Sequence, residues 1–173
     1  MFTVARRHVT GERERRHGHT ALHKAAWHGR SHSVKLLLQH GALVDAECKH
    51  GGRPLHYACA HGHVACLHEL MKHGADFEAR QNRWGLTTLQ MAAYFDRANC
   101  VTALLGYGAN TNVTDPLNHT ALFHVVIMSH VDVIATLLAY AQCDVPVKDK
   151  DTLSDRAVEV ASSREVKTLL LLG

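Results

Sequence analysis

Proline is scarce. Three occur in 173 residues, and no Pro-rich linker divides the chain. Cysteine offers no framework either. Cys48, Cys59, Cys66, Cys100 and Cys143 make an odd number, and no CxxC pair occurs. Free thiols are expected, which points to a reducing cytoplasm or nucleus. No stretch approaches the roughly 20 apolar residues needed to span a bilayer, so membrane insertion is not expected. Met1-Phe2-Thr3-Val4-Ala5 runs straight into Arg6 and Arg7 without the apolar segment of a secretory signal. Charge of one sign is also lacking. The net charge of +3, with histidine neutral, does not call for nucleic acid by itself. Catalytic signatures are absent: there is no Gly-rich phosphate loop, no GxSxG and no HExxH. Asp45, Glu78 and Asp115 read as loop acids with no sign that they pair. The expectation is a protein that is not an enzyme.

What is present is order at a fixed period. Apolar residues make up 46% and charged residues 20%, enough apolar surface for a core and no signature of disorder. Thr20-Ala21-Leu22-His23 recurs as Arg53-Pro54-Leu55-His56, Thr87-Thr88-Leu89-Gln90 and Thr120-Ala121-Leu122-Phe123, in steps of 33, 34 and 33 residues. A second marker keeps the same phase: Gly41-Ala42, Gly74-Ala75, Gly108-Ala109 and, degraded, Ala141-Gln142. The one extra residue falls between Gly74 and Thr87, in a stretch read as loop. Periodicity of this length marks a repeat architecture.

Each unit explains itself physically. Small pairs follow the first marker, at Ala25/Ala26, Ala58/Cys59, Ala92/Ala93 and Val125/Val126, where two helices can approach closely. A turn follows at Gly29 and Gly62, with Asp96 and Ser129 in the later copies. A second helix then places Val34, Leu37 and Leu38 on one face. Its copies are Leu67, Leu70 and Met71; Val101, Leu104 and Leu105; Ile134, Leu137 and Leu138. This is the i, i+3, i+4 spacing of a buried helical face. Glycine just beyond that face suits a left-handed residue ending a helix.

The period, the TPLH-like marker and the HGA-like marker resemble the ankyrin repeat. The resemblance covers residues 17–149 in four copies, 17–49, 50–83, 84–116 and 117–149. It implies an all-α repeat solenoid of helix-turn-helix units joined by β-hairpin-like finger loops. Residues 150–173 read as a shortened fifth unit acting as a C-terminal cap. Ala157 to Ala161 stand for its first helix, and Val166 to Leu171 for its second. Residues 1–16 read as a basic arm without an earlier helix pair. Either the N-terminal face meets a partner or a disordered segment, or the chain is a variant starting mid-array.

The resemblance also implies a binding surface. First helices of the family line a concave groove, and the residues after the small pair face it: Trp27-His28, Ala60-His61, Tyr94-Phe95 and Ile127-Met128. Exposed aromatic rows of this kind mark interaction sites, although such rings can also tuck against the next unit. The fingertips form a second surface, holding Arg16, His17 and His19; Lys49 and His50; Arg83 and Trp84; Leu117 and His119. They change from basic at the N-terminal end to apolar at the C-terminal end. Family members can be hydroxylated on the asparagine closing a Gly-Ala-x-x-Asn finger. Gly108-Ala109-Asn110-Thr111-Asn112 offers Asn112, with Leu104 eight residues before it.

Sixteen histidines invite a metal reading. In the family, the histidines at positions 23 and 56 tie neighbouring loops. His40 and His73 sit near a helix C-terminus, where the dipole tolerates a cation. The densest cluster is Cys48, His50, His56, Cys59, His61, His63, Cys66 and His68. It spans a finger, a helix and a turn and lacks the paired knuckles of zinc sites, so no metal and no cofactor is expected. Surface histidines would raise the charge, and with it partner affinity, below about pH 6.5. The basic arm could touch phosphates or serve as an import signal, but Glu12 and Glu14 interrupt it, and nucleic acid is not the expected ligand.

The expected function is a monomeric adaptor or scaffold that binds one protein partner and no small-molecule substrate. Two alternatives stay open. One is a regulatory or inhibitory subunit of an enzyme such as a kinase. The other is the substrate receptor of a ubiquitin ligase in truncated form.

Overall fold

The computed structural model describes residues 17–81 and 83–144. The basic arm expected at 1–16 and the cap expected at 150–173 lie outside the described residues, as does the side chain of Cys143. Within that range the chain forms eight helices. They are α1 (Ala21–Trp27), α2 (Ser31–Gln39), α3 (Pro54–Ala60), α4 (Val64–Lys72), α5 (Thr88–Tyr94), α6 (Ala98–Gly106), α7 (Ala121–Met128) and α8 (Val131–Asp144). Each odd-numbered helix pairs with the even-numbered one after it. Odd helices pack on odd, α1 on α3, α3 on α5 and α5 on α7, and even helices pack on even. The result is an all-α solenoid of two helical layers, with no strand among the described residues.

The helices begin where side chains can satisfy free amides. Thr20, Thr87 and Thr120 each accept the backbone N–H three residues on, at 3.4, 3.3 and 3.3 Å. The second copy uses Pro54 at the first helical position, where its missing N–H is harmless and its φ is already helical. Two residues beyond the ends of α2, α4 and α6 stand Gly41, Gly74 and Gly108, with φ of 84°, 78° and 88°. Where Ala141-Gln142 replaces the glycine marker, α8 continues to Asp144.

The core lies between the layers. Leu22, Leu55 and Leu89 are completely enclosed, as are the small pairs after them. Leu67, Leu70, Leu104, Leu105 and Ile134 close it from the second layer. Each such side chain contributes about 1.5–3 kcal/mol by leaving water. A backbone hydrogen bond spans each of three fingers. Cys48 N–H donates to the Gly52 carbonyl and Asp115 N–H to that of His119, both spanning four residues at 2.9 Å. In the middle finger the matching bond runs from Gln81 to Leu86 and spans five. The extra residue of the second unit is therefore accommodated at that fingertip, where no helix register is disturbed.

Candidate functional site

Buried polar ties set the fingers. The N–H of Thr20 donates to His23 Nδ1 (3.1 Å), which leaves the proton on Nε2, and Nε2–H donates to the Gly52 carbonyl in the next finger (2.9 Å). His56 repeats this, accepting from Arg53 and donating to the Ala79 carbonyl at 3.0 Å. Burial pushes its imidazole down to about 4. In the third copy Gln90 does the same work. Its Oε1 accepts from Thr87, and its Nε2 donates to the carbonyls of Val113 and His119. Phe123 cannot make such a bond and instead stacks on His119, with centroids 4.1 Å apart.

A second set of ties crosses between units at the helix–helix turns. His63 Nε2–H donates to the Trp27 carbonyl (3.0 Å), Arg97 Nε–H to the Ala60 carbonyl (3.1 Å) and His130 Nε2–H to the Tyr94 carbonyl (3.3 Å). Each donor caps the open C-terminal end of the previous unit's first helix, where cations are favoured. Glycine makes room for two of them. A Cβ on Gly29 would lie 2.6 Å from the His63 ring, and one on Gly62 would lie 2.9 Å from Arg97 Cδ. Asp96 takes the third glycine position in a left-handed conformation, φ 57°, and its carboxylate is 3.8 Å from His130 Nδ1.

Upon these clamps sit the residues expected to face a partner. Trp27, His28 and His61 are exposed, Tyr94 and Phe95 half-buried, and Ile127 and Met128 exposed. They follow directly on completely buried pairs, so the first helices turn sharply from core to solvent. Trp27, 40% exposed, is not isolated. It stacks on Tyr57 (5.2 Å, 21°) and lies 4.9 Å from the His61 ring. Tyr57 Oη in turn is 3.0 Å from His19 Nε2 and 3.3 Å from Cys48 Sγ. Tyr94 sets its edge against Phe95 and against His124. Some rings of the row thus both pack and remain accessible. The bases concentrate at the first half. Burial lowers His61, and His63, Arg97 and His28 lower it further.

The fingertips are less connected. Lys49 and His50 are exposed. Arg83 lies over the exposed Trp84 ring at 5.1 Å, a cation–π pair. Leu117 is 74% exposed. Asn112 is exposed, and its N–H donates to Asn110 Oδ1.

Each of the three finger acids has partners of its own in the fold. Asp45 accepts the Asp76 N–H and lies 3.7 Å from Arg53 Nη1; Arg53 also reaches Asp76 and Glu47 at 3.1 Å each. Glu78 accepts the Asn110 N–H at 2.8 Å. Asp115 is buried, and its Oδ1 accepts the N–H groups of Leu117 and His119, both at 2.8 Å. Burial opposes its charge, but those two bonds, with His124 and His119 nearby, hold its carboxyl below the ordinary range. Its Oδ2 faces His124 Nε2 at 3.1 Å and His119 Nδ1 at 3.6 Å.

The residues from Cys48 to His68 that are dense in sequence do not meet as one group. His56, His63 and His68 bond to Ala79, Trp27 and Tyr107 respectively. Cys59 and Cys66 are buried, and burial pushes the Cys66 thiol up to about 11. Tyr57, Phe123 and His124 were missed from the sequence, because their role depends on a finger lying against a helix. No helix among the described residues is long and apolar enough to cross a membrane. Residues 4–81 and 78–149 match the sequence model of one family, described as ankyrin repeats (3 copies).

Proposed function

The chain belongs to the ankyrin-repeat family, and from that premise we propose that it is a non-enzymatic adaptor or scaffold. It binds one protein partner across the row formed by Trp27, His28, His61, Tyr94, Phe95, Ile127 and Met128. The four units at 17–49, 50–83, 84–116 and 117–149 present this row. Lys49, His50, Arg83, Trp84 and Leu117 flank it from the fingers. The observation that carries the reading is the exposure of large apolar and aromatic side chains in register along successive first helices, the first three of which are held by a clamp from the next unit. Rigid aromatic anchors supply much contact area at little entropic cost, which is the usual make-up of a binding hot spot. The bases around His61 favour a partner segment that carries acidic groups beside apolar ones. The protein works as a monomer. Four buried free thiols among the described residues suit the cytoplasm or nucleus. Exposed Asn112 is the candidate site of hydroxylation, read as a mass gain of one oxygen on its peptide from cell-derived protein.

The test is capture of partners from cell extract by wild type and by the Trp27→Ala, Tyr94→Ala, Phe95→Ala triple variant. Capture should be lost while far-UV circular dichroism keeps its helical signal. Undiminished capture by the folded variant would reject the row as the binding site. Recovery of a kinase or a cullin complex would assign the role of enzyme regulator or ligase receptor instead of scaffold.

A further inference from the structure

The Asp115, His119 and His124 side chains are the one group among the described residues whose metal-ligating atoms converge, all within 4.8 Å of one another. We propose that they form a binding site for a late first-row divalent cation, zinc above all, with water in the fourth position. This rests on the geometry of the three side chains and not on the identity of any partner.

The donor set suits such an ion: two neutral imidazoles and one carboxylate are the ligands of open zinc sites. The spacing suits it as well. Ligand atoms about 2.0–2.1 Å from a tetrahedral ion lie about 3.3 Å apart. Asp115 Oδ2 is 3.1 Å from His124 Nε2 and 3.6 Å from His119 Nδ1. The ligands are already oriented. Two backbone N–H groups occupy Asp115 Oδ1 and turn Oδ2 toward the imidazoles. The His119 ring is held against Phe123, and its own carbonyl accepts from buried Gln90. His124 stands on α7 with the Tyr94 ring at its side, 5.8 Å away. Outer contacts of this kind fix ring direction and strengthen metal binding. The ion would replace the hydrogen bond between His124 and Asp115. His119 would then bind through Nδ1 with its proton on Nε2, and His124 through Nε2 with its proton on Nδ1.

A chain with sixteen histidines will take up zinc weakly elsewhere, so the test must separate this site from that background. Zinc is titrated into wild type, His119→Gln, His124→Gln and the control His32→Gln, each followed by calorimetry. One tight site per chain is expected in wild type and in the control, weakened about 100-fold or more in the other two. Equal zinc binding by all four proteins would overturn the proposal. Should either site variant fail to fold, nitrogen-15 spectra of the wild-type imidazoles decide the matter. Zinc must shift Nδ1 of His119 and Nε2 of His124. Zinc on the opposite nitrogens, or on neither ring, would overturn the proposal.

Discussion

One missing methyl group sets the geometry at the Trp27 end of the binding row. Gly29 has φ 69° and lies directly beneath the His63 ring. A Gly29→Ala chain would be strained by about 1–2 kcal/mol in the left-handed region and would also drive His63 off the Trp27 carbonyl. Its urea midpoint should fall by more than the backbone strain alone requires, and His63→Ala made on top should cost little more. His56 makes a prediction in pH. Its native imidazole resists protonation until about 4, whereas in the unfolded chain it takes a proton near the ordinary histidine value of 6.5. The unfolded state therefore binds the extra proton between these values. Stability from this residue is full above pH 6.5 and falls as pH drops toward 4, by about 3 kcal/mol in all. His56→Gln, which copies the arrangement at Gln90, should flatten that part of a stability–pH curve. A curve of unchanged slope would show that His56 is not the group responsible.

At the scale of the helix, α6 carries a weakness that can be mended. Gly106 ends it, faces open space where a Cβ would go, and has no positive φ. Gly106→Ala should raise stability by about 0.5–1 kcal/mol, seen as a higher melting temperature with unchanged spectra. The start of α5 is the opposite case. Gln90→Leu fills the same space but takes the donor from the Val113 carbonyl and the acceptor from the Thr87 N–H, while the His119 carbonyl keeps the Asp115 N–H; the cost is about 1–3 kcal/mol for each group left buried and unpaired. Gln90→His should cost much less. The C-terminal ends of the second helices were legible in the sequence because glycine acts through local backbone chemistry, and the small pairs marked where helices approach closely; the threonine and proline caps emerged only in the fold. The cross-unit donors were not legible. His63, Arg97 and His130 share a position but not a residue type, and become a set only when stacking brings each over the preceding helix. The histidine partner of Asp115 was hidden for the same reason: His124 lies beyond a turn and a cap from it in sequence, but 3.1 Å away in space.

For the whole molecule, stability resides in the junctions between units, since each unit touches only its neighbours. Arg97→Ala removes a donor from the junction of the second and third units. It should lower the unfolding midpoint and, more tellingly, reduce the steepness of the urea transition as the halves uncouple. A transition shifted without loss of steepness would place the cooperativity elsewhere. Acidification acts on the array in two opposed ways. Burial and its basic neighbours keep His61 neutral to lower pH than usual, so its own charge, and its attraction for an acidic partner, comes only as pH falls below the ordinary histidine range. Over that same range His56 withdraws stability. Partner capture measured from pH 7.5 downward should therefore rise and then collapse, and a flat profile would reject the electrostatic part of this account. The clamps also bear on how such a chain can change over generations. The second and third units each bring the donor that finishes the unit before and the carbonyl that the unit after will finish. A duplicated stretch of 33 residues thus arrives with both halves of its own joint. The binding row can be lengthened by copying, without any new contact having to be invented first.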